Sequence, residues 1–269
     1  NNMCWKIVRV SGDGSIKLIL EDKEHACNDT NYTQDNWEYL GNIPDESKYI
    51  THGFYEDNDS NVRLHDYLNN SYAHSDKGKD QYIGVSDIFK DFQEYEIDEN
   101  VSKLKSGEWC YDDNLYSDIF MENKINDITT TFTSDLAYLY GPEARLRTAT
   151  NNLKCTGTKL TNFADNTPMY VATLTTDEAV FAGVTFNYKS SNSYLNFETA
   201  AAYDVLLLSL SLSYRGIDSI ANLSMIGDGR VENSYDISYW TSARPSINLK
   251  VNIEFNSGNG TIGNPYTIK

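Results

Sequence analysis

Two apolar stretches separated by a turn open the chain. CWKIVRV (residues 4–10) leads into SGDGS, and IKLIL (residues 16–20) follows. Strand-forming residues on both sides of a glycine-containing turn are typical of a β-hairpin. We therefore predict a hairpin within residues 1–25.

Helical spacing of apolar residues recurs further along the chain. Pro142 suits the first position of one such helix, and Thr175 or Thr176 can cap another that Gly183 ends. Residues 94–108 are charged and polar, which favours a mobile loop or a domain margin. The predicted helices are 60–72, a segment around Ile83–Phe92, 112–128, 142–151 and 176–183.

The most apolar stretch, Ala200–Leu212, is broken by Asp204 and alternates leucine with serine at its end. Such alternation predicts a buried strand, and the stretch is shorter than the roughly 20 apolar residues that span a bilayer. Short strand patterns dominate from Thr156 onward. We expect an α+β fold, with an N-terminal hairpin and loop-rich, partly helical part (residues 1–155) packed on a strand-rich part (residues 156–269).

Acidic residues are concentrated in the N-terminal half. The net charge is −17; residues 1–150 contain 29 acidic and 14 basic residues, and residues 151–269 contain 10 and 8. Binding to nucleic acid requires clustered lysine and arginine, and no such cluster is visible. The composition therefore argues against a nucleic-acid partner, and the acidity is most simply a solvated surface.

The chain has four cysteines, Cys4, Cys27, Cys110 and Cys155, without CxxC spacing. An even number in this arrangement favours two disulfides over a zinc ribbon, and three pairings are possible. The sequential pairing is the simplest, because the predicted hairpin returns the chain from Cys4 towards Cys27. Disulfides imply an oxidising, extracytoplasmic compartment, whereas four buried free thiols would indicate the cytosol.

Glu178 and Arg244 are charged residues inside otherwise apolar motifs. Both would leave water when these segments pack, and an unpaired buried charge is costly. We therefore expect them to form a structural ion pair or to bond to backbone carbonyls. The alternative is a catalytic acid beside an activating arginine, although neither residue has a nucleophile near it in the sequence.

A weak calcium candidate lies in DNDSN. Asp57, Asp59 and Asn61 have the first spacings of a calcium loop, but Val62 stands where its glycine is expected and Leu68 where its glutamate is expected. A loop that caps the following helix is the simpler interpretation. The four histidines have no metal-binding spacing, so no cofactor is expected apart from possible calcium.

The C-terminal motifs resemble those of a known group of proteins. They are MYVATLTTDEAVFAG (169–183), LLLSLSLS (206–213), YWTSARPSINLK (239–250) and SGNGTIGNPYTIK (257–269). Together with the CWKIVRV opening and RLHDYLNNSY (63–72), they are similar to exported proteins of unknown function from gut-dwelling Firmicutes and related cell-wall-poor bacteria. Those proteins have IGLIT-DE-AYAG, VRPVINLK and GTGT-NPY-I at the corresponding places.

This resemblance implies an irregular, loop-rich scaffold whose C-terminal half is C-type-lectin-like, an architecture also used by formylglycine-generating enzymes. The enzymes need a reactive cysteine pair near the C-terminal half, where only Cys155 lies, so no such activity is expected. The family's Trp and Pro in the serine-rich strand are absent from Leu208–Ser213, and Ala243 replaces a valine. A surface built around that Trp therefore does not carry over.

Together these features predict a non-catalytic binding or adhesion module on a bacterial cell surface. The 20 tyrosines suit recognition of a glycan or protein ligand, although they equally suit packing of a loop-rich domain. A subunit of a surface filament or pilus, binding copies of itself, is the alternative, and an enzyme of unknown type comes third. Any membrane attachment would be through an anchor outside this sequence.

Overall fold

The computed structural model describes residues 3–32, 85–112, 114–118, 136–163, 165–186, 204–215, 221–227, 230–232, 241–242, 244–261 and 263–269. The predicted helix 60–72 and the calcium candidate of Asp57, Asp59 and Asn61 lie outside these ranges. The fold is α+β, with short helices, mostly antiparallel strands and two disulfides.

Fifteen strands and three α-helices are present in the described residues. The helices are α1 (Val85–Phe92), α2 (Gly141–Thr148) and α3 (Thr176–Phe181). The strands are β1 (Cys4–Val10), β2 (Ile16–Asp22), β3 (Trp109–Tyr111), β4 (Leu115–Asp118), β5 (Leu136–Tyr140), β6 (Thr158–Leu160), β7 (Val171–Ala172), β8 (Thr185–Phe186), β9 (Asp204–Arg215), β10 (Ala221–Gly227), β11 (Arg230–Glu232), β12 (Thr241–Ser242), β13 (Ser246–Leu249), β14 (Phe255–Ser257) and β15 (Thr267–Ile268).

The predicted N-terminal hairpin is confirmed. Strands β1 and β2 pair antiparallel, with a register shift between Ile7 and Arg9. In the turn, the Asp13 carboxylate accepts hydrogen bonds from the backbone N–H and the hydroxyl of Ser15. Gly14 has φ of 86°, a conformation that residues with a Cβ rarely adopt. The turn chemistry in SGDGS thus fixes the hairpin locally.

The hairpin continues into a four-stranded sheet of order β1-β2-β13-β7. Its apolar face contributes to a core that also contains the rings of α1, and Trp5 packs edge-on against Phe92 with ring centroids 6.3 Å apart. Strand β13, near the C-terminus, pairs with β2 near the N-terminus. The sheet therefore depends on contacts between distant parts of the sequence.

A second sheet has the order β4-β5-β9-β10-β11-β8, with β12 pairing in parallel to the start of β9. Strand β9 confirms the strand predicted within Ala200–Leu212 and extends to Arg215. Its Leu207 and Ser209 are buried. Like the first sheet, this one combines strands from residues 1–155 and 156–269.

Three predicted helices are present. α1 covers the end of the predicted Ile83–Phe92 segment, and α2 begins at Gly141, one residue before Pro142. α3 has Thr175 as its N-cap, and Gly183 follows it with φ of 97°. The stretch 94–108 was expected to be a loop, but it begins by continuing α1 as a π-helical turn (Gln93–Ile97) and a 3-10 helix (Asp98–Lys103).

The helix predicted over residues 112–128 is wrong for its described part. Asp112 forms a parallel bridge with Ser209, and Leu115–Asp118 is a strand paired with β5. Pairing with the neighbouring strands overrides the local helical spacing, as tertiary context often does. Residues 119–128 lie outside the described ranges.

Both disulfides have the sequential pairing, Cys4–Cys27 and Cys110–Cys155. The first joins the start of β1 to the segment that follows β2. The second joins β3 to the segment before β6, and these two strands also pair with each other. Within the described residues, no helix is long and apolar enough to cross a membrane.

The Cys110–Cys155 disulfide is expected to contribute on the order of 3–4 kcal/mol to stability, because it closes a long loop in the unfolded chain. The double variant C110S/C155S should therefore unfold at a lower guanidinium concentration than the wild type. The C4S/C27S variant is the comparison, with a smaller expected loss because its loop is shorter. An unchanged midpoint in C110S/C155S would contradict this prediction.

Candidate functional site

A pair of exposed aromatic rings lies on the C-terminal hairpin of β14 and β15. Phe255 and Tyr266 are 43% and 45% exposed, and their ring centroids are 4.9 Å apart with 41° between the ring planes. Ile253 and Ile268 pack against the core and hold the hairpin on the domain. We call the Phe255–Tyr266 pair the aromatic platform.

Glycines in the connecting loop allow the platform to form. A Cβ on Gly258, whose φ is 100°, would lie 1.9 Å from the Pro265 carbonyl oxygen. A Cβ on Gly260 would lie 2.7 Å from the ring of Tyr266. A side chain at Gly258 would collide with the backbone of Pro265, and one at Gly260 would collide with the Tyr266 ring. The glycines of SGNGTIGNPY are therefore needed for the position of the Tyr266 ring.

Polar side chains lie in the same hairpin as the platform. The side-chain amide oxygen of Asn259 accepts hydrogen bonds from the backbone N–H and the hydroxyl of Thr261. The hydroxyls of Ser257 and Thr267 lie 2.8 Å apart across the two strands. Exposed rings bordered by hydroxyl and amide groups can contact the apolar and polar parts of one ligand together.

A buried charge cluster lies elsewhere, on one face of the first sheet. Glu178 on α3 places Oε1 2.7 Å from Nζ of Lys17 and 3.0 Å from Nε of Arg9. Its other carboxylate oxygen accepts the backbone N–H of Thr175, while its own N–H donates to the Thr175 hydroxyl. This reciprocal capping box fixes the carboxylate at the start of α3.

Burial and charge oppose each other in this cluster. Burial alone would raise the pKa of the Glu178 carboxyl, but Lys17 and Arg9 outweigh it and hold that pKa below its usual range. Burial lowers the pKa of the Lys17 ammonium, and Glu178 offsets this only in part. The Lys17 Nζ also lies 4.8 Å from the centre of the Trp109 ring, a cation–π contact.

The predicted pairing of Glu178 with Arg244 is wrong. Both residues are buried, and the Arg244 Nε donates to the Leu20 carbonyl, which was the alternative expectation; the ion-pair partner of Arg244 is Glu21, with Nη2 2.5 Å from Oε2. Lys6 contacts the other oxygen of Glu21 at 2.6 Å. Glu21 and Glu178 therefore belong to two separate clusters of charged residues.

Strand register explains the correction. Ser246 lies opposite Ile19, so the same antiparallel register brings Arg244 opposite Glu21. Lys17, the partner of Glu178, lies four residues from Glu21, which is about 13 Å along a strand. Glu178 thus contacts Lys17 near the start of β2, and Arg244 contacts Glu21 near the end of the same strand.

A third group of charges surrounds Asp177, the neighbour of Glu178. Arg145 on α2 donates to both carboxylate oxygens of Asp177 and also to Asp112. The backbone N–H of Asn152 and the side-chain amide of Asn151 donate to Asp177 as well. Arg145 therefore joins Asp112 and Asp177 in one group of charges.

Lys17 and Glu21 were missed at the sequence level although they carry the same signal as Glu178 and Arg244. Both are charged residues within the apolar stretch IKLILED. Phe255 was missed too, because one aromatic residue in a polar tail has no periodic context.

Within the described residues, no cluster of three or more His, Cys, Asp or Glu side chains could hold a metal ion.

Comparisons with known proteins returned no match: no family model, no curated protein and no solved structure is similar to this chain. The resemblance to exported bacterial proteins consequently stays a prediction from the sequence motifs.

The variant E178Q should be strongly destabilised, because it leaves Lys17 and Arg9 near a neutral amide. Removing one partner of a buried ion pair typically costs about 3–5 kcal/mol. Because the folded-state pKa of Glu178 is depressed, its contribution is present above the unfolded-state pKa of about 4.5 and is lost as pH falls through the folded-state value. The difference in unfolding free energy between wild type and E178Q should therefore shrink between pH 7 and pH 3.

Glu108 provides the matched control, since it pairs with Lys159 on the surface and both side chains are more than half exposed. Denaturant unfolding of E108Q at pH 7 should give a midpoint close to that of the wild type. A cost for E178Q that is small at pH 7, or that grows as the pH falls, would show that the cluster does not act as described.

Proposed function

We propose that this chain is an extracellular, non-catalytic binding module that recognises a glycan through the aromatic platform. The single observation that carries the proposal is the exposed pair of neighbouring rings, Phe255 and Tyr266, on a hairpin whose loop requires glycines. A folded domain exposes paired rings at a cost, because apolar surface is normally removed from water. A ligand that covers them recovers this free energy.

A sugar ring suits the platform chemically. Its C–H face can lie on an aromatic ring, while its hydroxyls can exchange hydrogen bonds with groups such as those of Ser257, Asn259 and Thr267. The two disulfides support an oxidising compartment, and therefore an extracellular location. The α+β fold with short strands and disulfides is compatible with the lectin-like scaffold that the motif resemblance implies.

Replacing Tyr266 by Ser should abolish glycan binding while leaving the fold intact, because the ring is half exposed. The measurement is a glycan array with wild type and Y266S, in calcium and in chelator, followed by titration calorimetry on any sugar that binds. At least a tenfold loss of affinity is expected, since burial of an aromatic face is worth more than 1.4 kcal/mol.

The control is Y95S, because Tyr95 is also exposed but lies on the π-helical turn. It should bind like the wild type. Equal binding by Y266S, or no sugar bound by the wild type, would exclude a glycan site on this platform. Calcium dependence would in addition indicate a bound cation.

A second candidate function, a subunit of a surface filament, is favoured by the edge of the first sheet. Within the described residues β1 is one of the two edge strands of this sheet, and its Ile7 and Val10 are exposed. An unpaired strand edge can accept a strand from another subunit.

Electron microscopy of the native protein separates the two functions. Ordered fibres that are lost in a V10K variant would support the subunit, because a charged side chain on an edge strand opposes strand addition. Dispersed monomers for both wild type and V10K would leave the binding module as the function.

A further inference from the structure

Lys17 and Asn248 lie directly opposite each other in the pairing of β2 with β13. Directly opposed residues in antiparallel strands share one face of the sheet, with Cβ atoms about 4.5–5.5 Å apart. This is the face on which Glu178 contacts the Lys17 Nζ at 2.7 Å. An amine, a carboxamide and a carboxylate are thus brought together by two strands and one helix.

The surroundings of Lys17 favour a reactive amine. Its side chain is 6% exposed, the fully buried Trp109 ring lies beside the Nζ, and Glu178 supplies its hydrogen bond. A desolvated lysine loses its proton more readily than one in water, and the neutral amine is the nucleophile. The lowered pKa of Lys17 agrees with this geometry.

The cluster also has one cation more than it has carboxylates. Arg9 and Lys17 both contact the same oxygen of Glu178. The Arg9 side chain is 30% exposed, so Lys17 is the more deeply buried of the two cations, and burying a charge is unfavourable. If Lys17 lost its charge permanently, Glu178 and Arg9 would remain as a matched pair.

Asn248 completes the arrangement. It is half-buried, and within the described part of the chain its side-chain amide forms no hydrogen bond, although its backbone carbonyl accepts one from Lys105. The flexible stem of Lys17 can swing its Nζ from Glu178 towards the carboxamide carbon of Asn248.

We propose that Lys17 and Asn248 join in an intramolecular amide cross-link between β2 and β13, with Glu178 as the catalytic residue that transfers the proton. The neutral Nζ attacks Cγ of Asn248, forming the new N–C bond. Glu178 accepts a proton from Nζ and delivers it to the leaving nitrogen. The C–Nδ2 bond breaks, and one ammonia molecule is released, so no oxidant, reductant or co-reactant is needed.

This cross-link is independent of the proposed glycan function, since it occurs once per molecule and lies on a different part of the fold from the aromatic platform. It would covalently connect the N-terminal hairpin to β13, the strand of the first sheet that comes last in the sequence. A bond across such distant positions strongly limits the unfolded chain.

Intact mass spectrometry of the full chain, after reduction of both disulfides, tests the proposal. The native protein should be lighter than its sequence by about 17 Da, the mass of one ammonia. Tryptic digestion should yield a branched peptide that joins residues 10–23 to residues 231–250, without cleavage after Lys17. The variants N248A, K17R and E178Q should each have their full sequence mass.

N248A is the decisive variant, because it removes only a half-buried amide and should keep the native circular dichroism spectrum. N259A is the matched control, and it should retain the loss of about 17 Da because Asn259 lies in the platform loop. A wild-type chain of full sequence mass would overturn the proposal. So would a lost ammonia that maps to a succinimide at any asparagine rather than to the branched peptide.

Discussion

The antiparallel register between β2 and β13 determines which buried charges meet in this protein. Glu21 lies opposite the position of Arg244, and Lys17 lies opposite Asn248. A shift of one residue would turn these side chains to the other face of the sheet and leave several charges unpaired in an apolar core. The buried ion pairs therefore specify one pairing of two strands that lie near opposite ends of the chain.

The start of α3 connects this sheet to the rest of the molecule. Thr175 caps the helix, and the backbone N–H of Thr176 donates to the Ser209 hydroxyl on β9. Asp177 binds Arg145 of α2, whereas Glu178 binds Lys17 of β2. Four consecutive residues thus include contacts to both sheets and to a second helix. The capping box that orients them therefore helps to position α2 and both sheets as well as α3.

Local signals in the sequence predicted the parts of the fold that depend on local chemistry. The SGDGS turn, the Thr175 cap and the Cys4–Cys27 disulfide across the hairpin all follow from residues close together in the chain. The partners of Glu178 and Arg244 could not be predicted in this way, because they depend on the register of strands that are distant in sequence. Leu115–Asp118 was misassigned for a related reason, since its strand form requires β5.

The two sites differ in what they require of their surroundings. The charges around Glu178 are effective because water is excluded, which strengthens each contact and makes each unpaired group costly. The Phe255–Tyr266 platform needs the opposite condition, since rings that meet a ligand must face solvent until it arrives. Strands β14 and β15 form their own two-stranded sheet, so the platform loop can vary without altering the register of β2 and β13. A scaffold whose strand register is fixed by buried ion pairs can thereby carry a binding surface whose shape depends only on the β14–β15 loop.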